Sequence, residues 1–203
     1  METRSGSVGR GRKGIAGEWH KCPVFVDRCS GGVAAVCRCL LRQTPGRKGK
    51  IVKLEEGTVD LTKDYPHPVA AVFAAWSQEE AQRQWGDPGV GWHMDFDCFS
   101  FAVGDIDICR FGPEGGDEYL NENRYLEIKP ERRIVYASSL RANGVLTFAG
   151  TVSVAFEKHG EGTRMRFVEQ GLYFDGHDSV EGHREGWQHM LSSIATWLDG
   201  KAK

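Results

Sequence analysis

The chain has 203 residues, of which 40% are hydrophobic and 27% are charged, a composition typical of one ordinary globular domain with or without a tail. Its longest apolar run, residues 33–41, is interrupted by Arg38 and is less than half of the roughly 20 residues that a membrane-spanning helix needs, so a membrane span is excluded. Six Cys are too few for a disulfide-stapled secreted domain, and no hydrophobic signal segment follows the basic start. We therefore expect a cytoplasmic protein.

Charge divides the sequence into two parts. Residues 1–53 carry 12 Lys or Arg against 3 Asp or Glu, whereas residues 54–203 carry 14 against 25. The first part is also rich in Gly, and it has too little apolar surface to offset the entropy lost on folding. We predict a basic, Gly/Arg-rich, mostly disordered extension over residues 1–53, followed by one folded domain over residues 54–200.

The extension has several candidate roles. A basic segment can attract phosphate backbones or anionic lipid, and an Arg-rich start with few acidic residues is also compatible with an organellar transit peptide. Because neither aromatic interleaving nor helical periodicity accompanies the basic residues, a solvated tail is favoured, and no specific nucleic acid partner is expected. Zinc is not expected either, since the candidate ligands lack the CxxC spacing of a zinc finger. Those candidates are His20, Cys22, Cys29, Cys37 and Cys39.

Regular structure is predicted to begin at residue 58. Residues 58–65 alternate like a strand with one buried face, and the prolines that follow end it. Pro68 suits the first position of a short helix, and Ser77 with Glu80 suits a capping box for a second helix that ends near Trp85. The apolar stripe of the first helix is Val69, Val72, Phe73 and Trp76.

Six further strands are predicted after these two short helices. They cover residues 94–101, 105–111, 119–128, 133–140, 145–157 and 164–174. The clearest turn between them is Asn143-Gly144, because both residues tolerate the positive φ that a two-residue hairpin requires. Short connections throughout favour an antiparallel sheet in which sequential strands are neighbours.

A long C-terminal helix completes the predicted domain. Asp178 and Glu181 suit a capping box, and Gly200 suits the end of the helix. Such a helix is roughly 30 Å long, enough to cross a sheet of six or seven strands. The fold class is therefore α+β, with a curved antiparallel sheet of six or seven strands wrapped on the helix, and any space left between them becomes a cavity.

Several stretches of the domain, taken in order, resemble a known superfamily. Residues 68–76, Trp85, residues 125–136, residues 162–171 and the pair Gly186-Trp187 are similar to the START/SRPBCC superfamily. They most resemble the bacterial branch named after the activator of heat-shock-protein-90 ATPase, which is grouped with polyketide cyclases. The resemblance implies a helix-grip fold with a hydrophobic cavity between the sheet and the C-terminal helix.

One turn departs from the family pattern. The family often carries an Arg followed by two Gly after its second strand, whereas residues 98–104 keep only Gly104. Any ligand contact that the family makes from this turn is therefore not expected here.

His183 is the first candidate for chemistry. It lies four residues before Trp187 and seven before Met190, so it shares the buried stripe of the helix. Such a histidine can act as a general base or hydrogen-bond a ligand carbonyl. The alternative is a histidine satisfied by a neighbouring carboxylate at the edge of the helix, which is favoured because no nucleophile or paired acid lies at helical spacing.

Glu169 is the second candidate. Strand alternation places it on the same face as Met165 and Phe167, where partial burial would raise the pKa of its carboxyl group. Solvent exposure, or an ion pair with Arg184, is an equally good interpretation. By the same alternation Tyr125 shares a face with Glu127, although the alternation alone does not decide which face looks inward.

The expected function is the binding of a small apolar or aromatic molecule in the cavity, without catalysis and without a cofactor, because no phosphate-binding loop, nucleophile elbow or HExxH motif occurs. Asp175, His177 and Asp178 suit caps and a solvated turn better than a metal site. The alternatives are a cyclase- or hydrolase-type enzyme and a module that activates a chaperone ATPase; a homodimer is left open. The expected ligand-binding residues are Trp76, Trp85, Tyr125, Glu127, Phe167, Glu169, His183 and Trp187.

Overall fold

The computed structural model describes residues 53–201. Seven strands and three helices follow one another in the predicted order. They are β1 (Leu54–Tyr65), α1 (Val69–Ser77), α2 (Glu79–Trp85), β2 (Trp92–Cys98), β3 (Ile106–Pro113), β4 (Tyr119–Lys129), β5 (Arg133–Ala142), β6 (Val145–His159), β7 (Gly162–Phe174) and α3 (Val180–Lys201). The predicted extension, apart from Lys53, and the zinc-ligand candidates within it lie outside the described residues.

All seven strands form a single curved antiparallel sheet. Its order is β1-β7-β6-β5-β4-β3-β2, so β2 to β7 are joined as successive hairpins and β1 pairs with the last of them. The predicted turn is a two-residue hairpin: Ala142 lies opposite Val145, and Asn143 and Gly144 adopt φ of 48° and 80°. The predicted α+β helix-grip architecture is confirmed.

The predicted start of the second helix is wrong in its details. Gln78 is the N-cap of α2, and within the described structure no side-chain cap bond forms there. Ser77 instead ends α1 and donates its hydroxyl proton to the carbonyl oxygen of Ala74, 3.4 Å away. Pro68 likewise stands one position earlier than predicted, as the N-cap of α1 with an extended backbone.

The start of α3 is also capped by a different residue from the one predicted. The Ser179 hydroxyl oxygen accepts a hydrogen bond from the backbone N–H of Gly182 at 3.1 Å. The side chain of Asp178 turns the other way, to His183, with 2.8 Å between Asp178 Oδ2 and His183 Nε2. The capping residue is therefore Ser179, one position after the predicted Asp178.

The hydrophobic core lies between the inner face of the sheet and one side of α1 and α3. Only the second half of α3 is deeply buried, through Leu191, Ile194 and Leu198. Tyr65 ties the sheet to this half by donating a hydrogen bond to the Leu191 carbonyl oxygen at 3.0 Å. The sheet contributes Val59, Ile134, Val152, Val154, Met165 and Phe167. The first half of α3 is only partly buried: Val180, Trp187 and Met190 pack against the core, and this half also borders a cavity.

Among residues 53–201, none of the helices combines the length and the apolar character needed to cross a lipid bilayer.

Candidate functional site

A cavity of about 480 Å³ lies between the first half of α3, the two short helices and the inner face of β2 to β7. Its volume is within the range of roughly 300–1,000 Å³ that is usual for small-molecule sites. Its wall is rich in aromatic side chains, which are Trp76, Trp85, Trp92, Phe96, Phe111, Tyr119, Tyr125, Tyr136, Phe148 and Trp187.

One end of the cavity is open and the other is closed. At the open end Trp92 is 39% exposed, and α3 presents Gly186 and the exposed His189. A Cβ atom added at Gly186 would meet no atom within 4 Å in the described part of the chain, so the helix leaves this end of the cavity unobstructed. At the opposite end lie Tyr125 and Asp107, which are only 4% and 1% exposed.

Glu169 is the centre of a polar cluster near the open end. It is 2% exposed and stands on the inner face of β7. Its Oε1 accepts hydrogen bonds from His183 Nδ1 at 2.7 Å and from the Tyr173 hydroxyl at 3.2 Å. Its Oε2 accepts one from Trp187 Nε1 at 3.0 Å. The buried carboxylate is thus compensated by three donors, two of them from α3.

His183 lies between two carboxylates, because Asp178 Oδ2 is 2.8 Å from its second ring nitrogen. Burial disfavours the imidazolium, but the hydrogen bonds to Asp178 and Glu169 outweigh it and raise the pKa of His183 to about 9. At neutral pH both ring N–H groups therefore donate, and neither nitrogen has a free lone pair with which to accept a proton. The residue fastens the start of α3 to β7.

Phe148 forms one wall of the cavity beside this cluster, 4.6 Å from the His183 ring. Gly150 on β6 lies opposite Gly171 on β7, and the phenyl ring covers both. A Cβ at Gly171 would lie 2.6 Å from that ring and 2.5 Å from the carbonyl oxygen of Ala149. The two glycines therefore provide the space in which Phe148 lies.

A second polar cluster lies at the closed end. The Tyr125 hydroxyl donates to Asp107 Oδ2 at 2.6 Å. Burial raises the pKa of Asp107 to about 6, and the hydrogen bond from Tyr125 opposes this rise. Asn123 Nδ2 donates to Asn121 Oδ1 at 2.7 Å, and Asn121 Nδ2 in turn donates to Ser138 Oγ at 3.2 Å.

Most of the residues expected from the sequence to bind ligand do line the cavity. Those that line it are Trp76, Trp85, Tyr125, Glu169, His183 and Trp187. Phe167 instead lies fully buried behind the wall, with its ring 4.1 Å from that of Trp187. Arg184, proposed as a partner of Glu169, instead donates to the Thr58 carbonyl oxygen and lies 3.4 Å from Glu181.

The expectation that Glu127 shares a face with Tyr125 is wrong. The pairing of β4 with β5 shifts register between these two residues, so a bulge at Leu126 reverses the alternation that follows. Glu127 consequently lies on the outer face, where it pairs with Lys129 at 2.9 Å and accepts a hydrogen bond from Arg133 at 2.6 Å.

Sequence reasoning missed the polar lining residues Asn121, Asn123 and Ser138, and also Asp107, which binds the lining residue Tyr125. One signal could have found Asp107, because it alternates with Cys109 and Phe111 on the predicted third strand. A charged residue within an apolar row is unusual enough to mark a site.

The residues of the turn before α3 have other partners. Asp175 Oδ1 accepts from the backbone N–H of Lys53 at 3.3 Å, and Asp178 is held by His183. Within residues 53–201, no three or more His, Cys, Asp or Glu side chains are grouped so that they could hold a metal ion.

Comparison with known proteins gives a consistent assignment. The family described as "Activator of Hsp90 ATPase homolog 1-like protein" matches residues 66–199. The crystal structure of a protein from Rhizobium loti is 30% identical, with a TM-score of 0.64, over 71% of this chain and 98% of that one. A protein from Rhizobium leguminosarum is 28% identical, with a TM-score of 0.67, over 74% and 99%.

A more distant structure shares the fold alone. DynU16, described as a protein in the dynemicin biosynthetic locus, is 20% identical, with a TM-score of 0.50, over 70% of this chain and 47% of that one. No curated protein matches the sequence.

Proposed function

This chain belongs to the family of activator of Hsp90 ATPase homolog 1-like proteins, and from that premise we propose that its cavity binds a small, mostly apolar, aromatic ligand. The observation that carries the proposal is the open-ended cavity of about 480 Å³ with its aromatic wall. A cavity of this size can enclose a ligand of two or three fused rings, and burying that ligand's apolar surface supplies most of the binding free energy.

The arrangement of the wall supports a flat ligand. The rings of Trp76 and Trp187 are nearly parallel, inclined by 19° with centroids 6.1 Å apart. Phe111 and Tyr119 form a second near-parallel pair, inclined by 15° at 5.2 Å. Aromatic pairs favour offset-stacked or edge-to-face contacts, so a planar ring system finds partners on two sides of the cavity.

The hydrogen bonds near the open end support binding rather than turnover. His183 donates from both ring nitrogens, and both oxygens of Glu169 are already occupied. A general base needs a free lone pair within reach of the proton that it removes. In a cyclase- or hydrolase-type reaction, His183 and Glu169 were the residues expected to move a proton. They are instead hydrogen-bonded to each other.

A neutral fluorescent naphthalene, 6-propionyl-2-(dimethylamino)naphthalene, is a suitable probe because its emission moves to shorter wavelength in apolar surroundings. We expect saturable binding to the wild-type protein with such a shift. Gly186→Trp, which places an indole where α3 leaves the cavity open, should weaken binding at least about tenfold. Gly200→Trp is the matched control, since Gly200 lies on the same helix, exposed, away from the cavity, with equally open surroundings in the described chain.

Two outcomes would contradict the proposal. One is the absence of a saturable shift with wild-type protein. The other is an equal dissociation constant for Gly186→Trp and Gly200→Trp when circular dichroism shows both to be folded.

A further inference from the structure

Three buried polar atoms of the cavity region lack hydrogen-bond partners in the described part of the chain. They are Trp76 Nε1, Asn123 Oδ1 and Asp107 Oδ1. Buried polar groups in folded proteins are nearly always paired, and an unpaired one costs free energy, so each such atom calls for an explanation. A ligand that supplies the missing partners would pair these atoms.

The two unpaired acceptors lie at the closed end. Asp107 on β3 faces Asn123 on β4 in the sheet register, and it stands in the same row as Cys109, which lines the cavity. Tyr125 occupies only the other carboxylate oxygen of Asp107. The amide nitrogen of Asn123 is already used by Asn121, which leaves its oxygen available. Together they require a hydrogen-bond donor.

The unpaired donor belongs to α1. Two other indoles of the cavity wall have acceptors: Trp85 Nε1 donates to the Ala75 carbonyl oxygen at 2.7 Å, and Trp187 Nε1 donates to Glu169. Trp76 lines the same cavity without one, so its N–H requires an acceptor such as a carbonyl oxygen.

The charges around the cavity disfavour an anionic ligand. Glu169, Asp178 and Asp87 line it, and the cation among the described lining residues is His183, which two carboxylates already neutralise. Neither Lys nor Arg contributes to the described lining. A ligand carboxylate would therefore lose its hydration without gaining a cationic partner.

We propose, on the basis of the binding function above, that the ligand is a polycyclic aromatic molecule that carries a hydroxyl group and a carbonyl oxygen and no anionic group. The hydroxyl group donates to Asn123 Oδ1 at the closed end, and the carbonyl oxygen accepts from Trp76 Nε1. A site with unpaired polar groups discriminates strongly against analogues that lack the matching group, because those analogues leave the groups buried and unpaired.

Four naphthalenes test this proposal by displacing the fluorescent probe from the wild-type protein. 6-Acetyl-2-naphthol carries both groups, 2-acetylnaphthalene lacks the hydroxyl, 2-naphthol lacks the carbonyl, and 6-hydroxy-2-naphthoate carries a carboxylate. We expect 6-acetyl-2-naphthol to bind about fivefold to tenfold more tightly than either compound that lacks one group. The carboxylate should bind at least about a hundredfold more weakly than 6-acetyl-2-naphthol.

Two variants assign each preference to its residue. Asn123→Leu should abolish the advantage of 6-acetyl-2-naphthol over 2-acetylnaphthalene, and Trp76→Phe should abolish its advantage over 2-naphthol. Gly200→Trp is the control, because Gly200 lies on α3 away from this cavity and from the polar cluster of its closed end. It should leave both preferences in place.

The outcomes separate this inference from the binding function. If the fluorescent probe binds but the four naphthalenes displace it equally well, the donor–acceptor assignment is overturned and the binding function stands. If neither the probe nor any naphthalene binds, both are overturned. The series with wild-type protein decides the question even if a variant fails to fold.

Discussion

His183 shows how a single residue can join two elements at the border of a cavity. The imidazolium is bonded on one side to Glu169 of β7 and on the other to Asp178, just before α3. Burying charges is expensive unless each one finds a partner, and here the carboxylates and the imidazolium compensate one another. These bonds lie in the half of α3 that is only partly buried, so they add to the packing of Trp187 in holding the helix against the sheet.

The stability that His183 provides should depend on pH. Its pKa rises from the ordinary 6.5 to about 9 in the folded protein, so the folded state binds the proton more tightly than the unfolded state. The contribution is complete below about pH 6.5 and is lost as the pH rises through about 9. The difference in unfolding free energy between wild-type protein and His183→Gln should therefore fall by about 3 kcal/mol from pH 6 to pH 10.

Urea denaturation of both proteins across this pH range measures the difference directly. A difference that stays constant with pH would show that His183 is not held as an imidazolium.

At the scale of elements, the glycines of β7 and α3 have opposite roles. The absence of a side chain at Gly171 allows Phe148 to pack across two strands, whereas the absence of one at Gly186 leaves open space beside the helix. Close packing requires glycine at position 171. Glycine at position 186 lowers the helix propensity of α3 and leaves the cavity accessible.

The same substitution at these two glycines should therefore change stability in opposite directions. Gly171→Ala should destabilise the protein by about 1–3 kcal/mol, because its Cβ overlaps the Phe148 ring and a backbone oxygen. Gly186→Ala should stabilise it by about 1 kcal/mol through greater helix propensity. The midpoints of urea denaturation of the two variants measure these changes in stability. If both midpoints move in the same direction, the two glycines do not have opposite roles.

The order of elements was predictable because each one has its own periodicity, but local exceptions were not. Alternation correctly placed Glu169 beside Phe167 on the inner face of β7, since that strand pairs without interruption. It failed at Glu127, because a bulge after Tyr125 depends on the neighbouring strand and leaves no mark in the local pattern. The cap of α3 was misassigned by one residue, since Ser179 and Asp178 both suit this position in sequence and Asp178 binds His183 instead.

At the scale of the whole molecule, the length of the last helix and the family resemblance predicted an apolar cavity between sheet and helix. They did not predict the polar residues at its closed end. Asp107 and Asn123 meet only because β3 and β4 pair in a particular register. Register is fixed by contacts across the entire sheet, so a reading of one strand at a time cannot supply it.

Ligand binding should stabilise the entire fold, because a compound that binds only the folded state shifts the unfolding equilibrium. The naphthalene probe at about 100 times its dissociation constant should add about 2.7 kcal/mol. For a domain of this size that corresponds to a rise in melting temperature of roughly 5–10 °C. Gly200→Trp should show the same rise and Gly186→Trp little or none; a full rise in Gly186→Trp would place the binding site elsewhere.

Because one end of the cavity is closed and the other is open, only the part of a long ligand that lies inside the cavity should affect its affinity. Tyr125 and Asp107 form a floor, whereas Gly186 leaves a gap in the rim beside α3. A guest that exceeds the depth of the chamber must project its trailing portion past the helix into water. Affinity in a series lengthened at that trailing portion should level off once the added atoms reach bulk solvent, so tails of very different length and chemistry would be accepted equally.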